Sequence, residues 1–202
     1  MARRSEHSLE QIKEMVLNAA ESIVIEQGFP ALTMRKIARE MGYTVGSIYM
    51  VFAGMGDLLI HMKARTLDDL AAQLMPVLDC ATEHRIEALA KAYLNYAARN
   101  FNRWSMLTAY HAADNNETSD WYRENLNAVL ARLEAQFALL VPECPELQKS
   151  RAARTLGAGI HGICMLSLTG RQNKAELKEV EEMIVLLVGN FMRGWDAGAD
   201  NQ

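Results

Sequence analysis

The sequence predicts an all-α protein. An N-terminal three-helix helix-turn-helix domain, residues 1–55, precedes a C-terminal helical bundle, residues 56–202, with about nine helices in all. Three observations carry this reading. Apolar residues recur at helical spacing along almost the whole chain, and no stretch alternates as a half-buried strand would. Residues that start and stop helices fall between those stretches. Between Thr33 and Phe52, two short amphipathic segments are joined by a tight turn at Gly42, the pattern of a helix-turn-helix.

Residues 1–7 read as an arm whose Arg3 and Arg4 are suited to a phosphate or a minor groove. Ser8 and Gln11 form a capping box for a first helix that runs to Gln27. Its buried stripe is Ile12, Met15, Val16, Ala19, Ala20, Ile23 and Val24, and Gly28 caps its end. Thr33 caps a helix from Met34 to Met41, which Gly42 stops because glycine takes a left-handed backbone without penalty. Thr44 caps a second short helix, Val45 to Val51, which would lie in a DNA major groove. A fourth helix starts near Gly56 or Asp57 and ends at Met75, before Pro76. Its apolar residues, Leu58 to Leu74, serve both domains, so it acts as a lever rather than a linker. Beyond it, helices are expected at 83–101, 103–112, 119–141, 146–169 and 174–195, the last opened by a capping box at Asn173 and Glu176.

Charge sharpens the reading. The net charge of −4 is unevenly divided: residues 1–65 hold eight Lys/Arg against seven Asp/Glu, and residues 66–202 hold thirteen against eighteen. Within 31–53, three basic residues face one acidic residue, a small basic face on an acidic body. Arg35, Lys36 and Arg39 suit phosphates, while Thr44, Val45, Gly46 and Ser47 are short enough to let a helix approach the duplex closely. The candidate DNA-contacting residues are therefore Thr33, Arg35, Lys36, Thr44, Val45, Gly46, Ser47, Tyr49 and Met50. Half of the residues are apolar and there are only four prolines, which implies a packed core. No apolar run approaches the ~20 residues of a membrane span, and no apolar signal core follows the N-terminus, so the expected compartment is the cytoplasm without membrane contact.

Residues 12–59 resemble the DNA-binding domain of the tetracycline-repressor (TetR) family. The matching features are Ala19-Ala20, Gly28-Phe29, Leu32-Thr33, Ile37-Ala38, Gly42, Gly46-Ser47-Ile48-Tyr49, Phe52 and Asp57-Leu58-Leu59. Two positions depart from the family pattern, which has His where Val51 stands and Lys where Met55 stands. That lysine commonly touches a phosphate, so its replacement bears on how firmly the protein grips the DNA backbone. The resemblance implies a homodimer on a near-palindromic operator, and a small-molecule effector bound in the helical body.

The region from Tyr93 to Tyr122 gathers aromatic residues, and apolar pockets with a few placed polar groups are what ligand sites look like. Phe101, Trp104, Tyr110, His111, Trp121, His161 and Met165 are the candidate effector-binding residues. In the last two helices, glycines at 157, 159 and 162 and a nearly all-apolar segment from Met183 to Trp195 suggest close helix pairing. Gly159, Gly162, Gly189 and Phe191 are the candidate dimer contacts. No catalytic or phosphate-cradling motif is present. The three cysteines, Cys80, Cys144 and Cys164, make no framework, and Cys80–His84 and His161–Cys164 each offer two ligands where a structural metal site needs four. Neither a cofactor nor a metal is expected. The favoured function is a ligand-responsive transcriptional regulator, most simply a repressor. Its rivals are a helical binding protein without DNA affinity, and an enzyme built around His111 and His161.

Overall fold

A computed structural model describes residues 7–79, 84–108, 145–169 and 174–199, together with positions 131, 134, 135 and 139. The described residues contain eight α-helices and no strand. These are α1 (Leu9–Gln27), α2 (Met34–Met41), α3 (Val45–Tyr49), α4 (Met55–Leu74), α5 (Arg85–Arg99), α6 (Phe101–Met106), α7 (Glu146–Leu168) and α8 (Lys174–Ala199). The helix expected at 119–141 and the cap at Asn173 lie outside the described residues, as does the arm bearing Arg3 and Arg4. The chain divides into two compact units. One is the described part of Met1–Thr66 with Asn102–Arg123, the other that of Leu67–Phe101 with Glu124–Gln202. The first unit therefore runs past residue 55 into α4.

In the first unit the caps set the path of the chain. Ser8 Oγ accepts from the Gln11 amide at 3.2 Å, and Gln11 Oε1 accepts from the Ser8 amide at 2.7 Å, so the two satisfy each other's free donors. Gly28, at φ 77°, donates back to the Val24 carbonyl and turns the chain into a single 3-10 turn, Phe29–Ala31. Thr33 caps α2 through the Lys36 amide at 3.2 Å. Gly42 closes it in the left-handed conformation, φ 69° and ψ 26°. The Tyr43 amide bonds the Ala38 carbonyl at 2.9 Å and the Gly42 amide bonds Arg39 at 3.2 Å, which together make a Schellman motif. Thr44 follows at once as the cap of α3.

The α3 helix is shorter than the periodicity suggests. It ends at Tyr49, and the amides of Val51 and Phe52 both turn onto the Ile48 carbonyl. Met55 opens α4, and the Asp57 carboxylate reaches back to the Ala53 amide at 2.9 Å, where an acid also favours the helix start. Pro76 does not break the chain away. It is held in a 3-10 turn, Met75–Asp79, that continues from α4. The core joins Ile12, Val16, Ala20, Ile23 and Val24 of α1 with Ile37 of α2, Ile48 of α3, Phe52, and Leu58, Leu59 and Met62 of α4. Leu17, absent from the expected stripe, is buried as well.

The second unit is built on α5, α7 and α8. Tyr96, Leu94, Leu89 and Ile86 are the buried residues of α5, and Val180, Ile184 and Val188 those of α8. Asn100 ends α5 by turning both its backbone amide and its side-chain amide onto the Tyr96 carbonyl. Lys91 bonds Glu87 at 2.9 Å and Glu181 at 3.2 Å, tying α5 to α8, and these carboxylates hold its pKa above the usual lysine value. The close approach of α7 to α8 occurs at Gly159, where an added Cβ would meet Leu187 Cδ2 at 3.0 Å.

Gly42 allows a direct test. A Cβ there would meet nothing within 4 Å, so Gly42→Ala changes only the backbone cost of a left-handed residue. The substitution is expected to lower stability by about 1–2 kcal/mol. Urea unfolding should show a lower midpoint with an unchanged slope, and Gly42→Asn should lose less than Gly42→Ala.

Candidate nucleic-acid interface

Ile37 and Ala38 of α2 and Ile48 of α3 are buried against α1 and Phe52, which turns their opposite faces outward. On α2 those faces carry Arg35 and Arg39, both exposed, with Lys36 half-buried. Lys36 Nζ donates to Gln27 Oε1 at the end of α1, which fixes where its charge lies. Thr33 and Thr44 are exposed, with each side-chain oxygen engaged as a helix cap. Thr44 Oγ1 also lies 3.1 Å from Ser47 Oγ. On α3, Gly46, Tyr49 and the following Met50 are exposed, and Val45 and Ser47 are half-buried. The nine residues expected at a DNA surface thus lie along the helix-turn-helix, on α2, on α3 or at their caps.

Three features of this corner were not legible in the sequence. His7 Nδ1 lies 2.6 Å from the Tyr43 hydroxyl, which pins the start of the chain to the turn between α2 and α3. Lys13 Nζ stands 5.8 Å over the Phe52 ring, and His61 meets the same ring edge-on. Burial, then the Lys13 charge, lowers the His61 pKa. Arg65 of α4 bonds Glu14 and Asn18 of α1, and Arg103 of α6 lies 4.0 Å from Glu21 of α1. Each pairs residues far apart in the chain, for which spacing gives no signal. Met55 and Val51 pack against the core instead of standing free.

The expected effector residues are distributed differently. Trp104 is fully buried in the first unit, whereas Phe101, His161 and Met165 are half-buried in the second. Tyr110, His111 and Trp121 lie outside the described residues. His161 Nδ1 is 2.6 Å from the Tyr93 hydroxyl, a polar pair joining α7 to α5, and burial lowers the histidine pKa. Cys164, one turn on, is buried, and its thiol is pushed up to about 12 by desolvation, far from thiolate chemistry at neutral pH.

Of the expected dimer contacts, Gly159 is filled by Leu187 of its own chain, while Gly162 and Gly189 have open space where a Cβ would stand. Phe191 stacks on Trp195. Leu166, Met183 and Leu186 are exposed on the same two helices, Leu166 to 85%. Among the described residues no helix is long and apolar enough to cross a membrane.

If α2 and α3 form the interface, Lys36→Ala and Tyr49→Ala should each weaken DNA binding while helicity and oligomeric state stay unchanged. Fluorescence anisotropy with labelled duplex, run beside circular dichroism, checks this. Normal binding by both variants would move the interface elsewhere.

Comparison with known proteins agrees with this geometry. The profile of bacterial regulatory proteins of the tetR family matches residues 16–62, and that of the tetracyclin repressor-like C-terminal domain matches residues 86–190. An uncharacterized HTH-type transcriptional regulator of Pseudomonas putida, TtgW, is 30% identical over 95 residues, 47% of this chain and 69% of its own. A Rhodococcus protein of unknown function has a similar fold, with a TM-score of 0.70 at 23% identity, covering 95% of this chain and 98% of that one. The Bacillus subtilis transcriptional regulator FadR, solved in complex with stearoyl-CoA, aligns with a TM-score of 0.63 at 17% identity over 87% of this chain and 97% of its own. The chain belongs to the tetR family of bacterial regulatory proteins and is a DNA-binding transcriptional regulator.

Proposed function

We propose that this protein is a ligand-responsive repressor that binds a near-palindromic operator as a homodimer and leaves it when a small molecule binds. The observation that carries the reading is the exposed α3, held by Thr44 and Gly42 against a core that Ile48 and Phe52 anchor. A second copy would place two such helices in successive major grooves, about 34 Å apart. The dimer is supported by exposed Leu166, Met183 and Leu186 and by the open faces of Gly162 and Gly189, since a contiguous apolar face on two long helices favours burial. An effector need only bind more tightly to the conformation whose helix spacing misfits the grooves. The Tyr93–His161 pair offers a placed polar contact on otherwise apolar helices, and FadR, of similar fold, carries stearoyl-CoA. Residues 1–55 are proposed to make the DNA contacts and 56–202 the effector and dimer contacts.

The test is capture of genomic fragments by the purified protein. Expected are enriched fragments sharing a two-fold motif with one-turn spacing, released by an effector found in a metabolite screen. Leu186→Asp should give a monomer by light scattering and abolish capture. Binding by a monomeric Leu186→Asp variant would remove the dimer from the mechanism.

One observation favours a second reading, a helical binding protein with little DNA affinity: Met55 gives α4 an apolar start where relatives offer a cation. Restoring the charge decides how much that costs. Met55→Lys is expected to tighten binding about equally on all sequences and, with one phosphate gained per half-site, to steepen the log–log salt slope by about 1.8. An unchanged slope means that another cation, such as Lys13 beside Phe52, already holds that phosphate.

A further inference from the structure

From Met41 to Gly56 the chain contains no Lys, Arg, His, Asp or Glu, and no Asn or Gln. This stretch includes the whole of α3, with the turns on either side. The usual means of telling bases apart in the major groove are therefore missing from it. Guanine is normally read by a bidentate Arg or Lys, adenine by Asn or Gln, and cytosine by a carboxylate. The hydroxyls of Thr44 and Ser47 are committed to the helix cap, 3.1 Å apart, with Thr44 Oγ1 also accepting from the Ser47 amide. What α3 and the next residue present outward is the Val45 isopropyl group, the bare backbone of Gly46, the Tyr49 ring and the Met50 thioether. Met50 is 61% exposed although it is large and apolar, and Ile48, which faces the other way, is completely buried.

One base edge matches an apolar surface. Thymine alone among the four bases projects a methyl group into the major groove. We propose that each half of the operator is read chiefly through thymine methyl groups, packed against Val45 and Met50. Gly46, with no side chain, lets α3 come close enough for that contact. Arg35, Lys36 and Arg39, all on α2, then supply phosphate attraction without carrying sequence information. The inference rests on the reading of α3 as a recognition helix. It adds to that reading the base chemistry that α3 recognises.

The experiment begins with selection of bound duplexes from a library with a random 20-base-pair core, ~20 base pairs being enough for two half-sites one turn apart. The winning duplex is resynthesised with deoxyuridine replacing thymidine at single positions, which removes the methyl and leaves base pairing intact. The expected result is a loss of about fourfold in affinity for each methyl removed from the contacted positions, by the worth of one buried methyl, and none at flanking thymines. Met50→Ala should abolish the thymine-over-uracil preference at one contacted position in each half while keeping that at the other. Met50→Arg should shift selection there from thymine to guanine. A selected duplex that binds equally well with uracil at every position overturns the inference and leaves the DNA-binding reading standing. A library that yields no enriched sequence overturns both. Loss of affinity on Met50→Ala with the thymine-over-uracil ratio intact assigns Met50 a structural part only, which also overturns the proposal.

Discussion

The recognition region depends on the reversal of the chain at Gly42. A left-handed residue at this point lets the amides of Gly42 and Tyr43 bond carbonyls of α2, so the helix ends without leaving buried acceptors unpaired. Thr44, two residues on, begins α3 by capping it. With so few residues between the two helices, little freedom remains in the angle between them, and Ile37, Ala38, Ile48 and Phe52 can share one core. That core is what turns the polar faces outward. A five-residue helix has almost no stability of its own, because nucleating a helix costs more than one turn returns. It persists through its caps and through the burial of Ile48.

The same logic decides what could be read from the sequence. Caps are local: Ser8 with Gln11, Thr33, Gly42 and Thr44 announce themselves through residue type and a spacing of three or four, and each forms as expected. Helix ends are less legible. The turn after Tyr49 has the periodicity of the helix before it, and nothing local says that Val51 and Phe52 will share one carbonyl. Pro76 suggested a stop, yet a proline fits the first turn of a 3-10 segment because its missing amide has no partner to lose there. Least legible are pairs that depend on the fold. Tyr93 with His161, His7 with Tyr43, and Arg65 with Glu14 have no spacing rule. The glycines of α7 illustrate the limit. Their number signalled close packing, but only the fold shows that Gly159 spends its missing side chain on Leu187 while Gly162 has open space.

The two departures from the family pattern acquire a physical meaning in the same core. Val51 and Met55 are both partly buried against residues of α1, α3 and α4. A cation at the first residue of α4 would also oppose the positive end of that helix, where Asp57 is the complementary charge. Replacing Lys by Met there exchanges a long-range attraction to the DNA backbone for local apolar contact. Affinity for any duplex falls more than discrimination between duplexes, because a phosphate contact is indifferent to sequence.

That exchange fits a recognition surface without charge. Basic side chains on a recognition helix serve two ends at once, attraction to the backbone and hydrogen bonding to purines, and so bind non-cognate DNA as well. Here attraction is left to Arg35, Lys36 and Arg39 on α2, in a chain whose net charge is −4. The groove-facing residues of α3 contribute only where shape and apolar contact match. Contact of this kind is weak per group and falls away quickly with distance, since a gap of a fraction of an ångström forfeits much of the dispersion energy. Such a surface needs a rigidly held helix more than a charged one does. The paired caps at Gly42 and Thr44, the buried Ile48 and the Phe52 ring between Lys13 and His61 supply that rigidity.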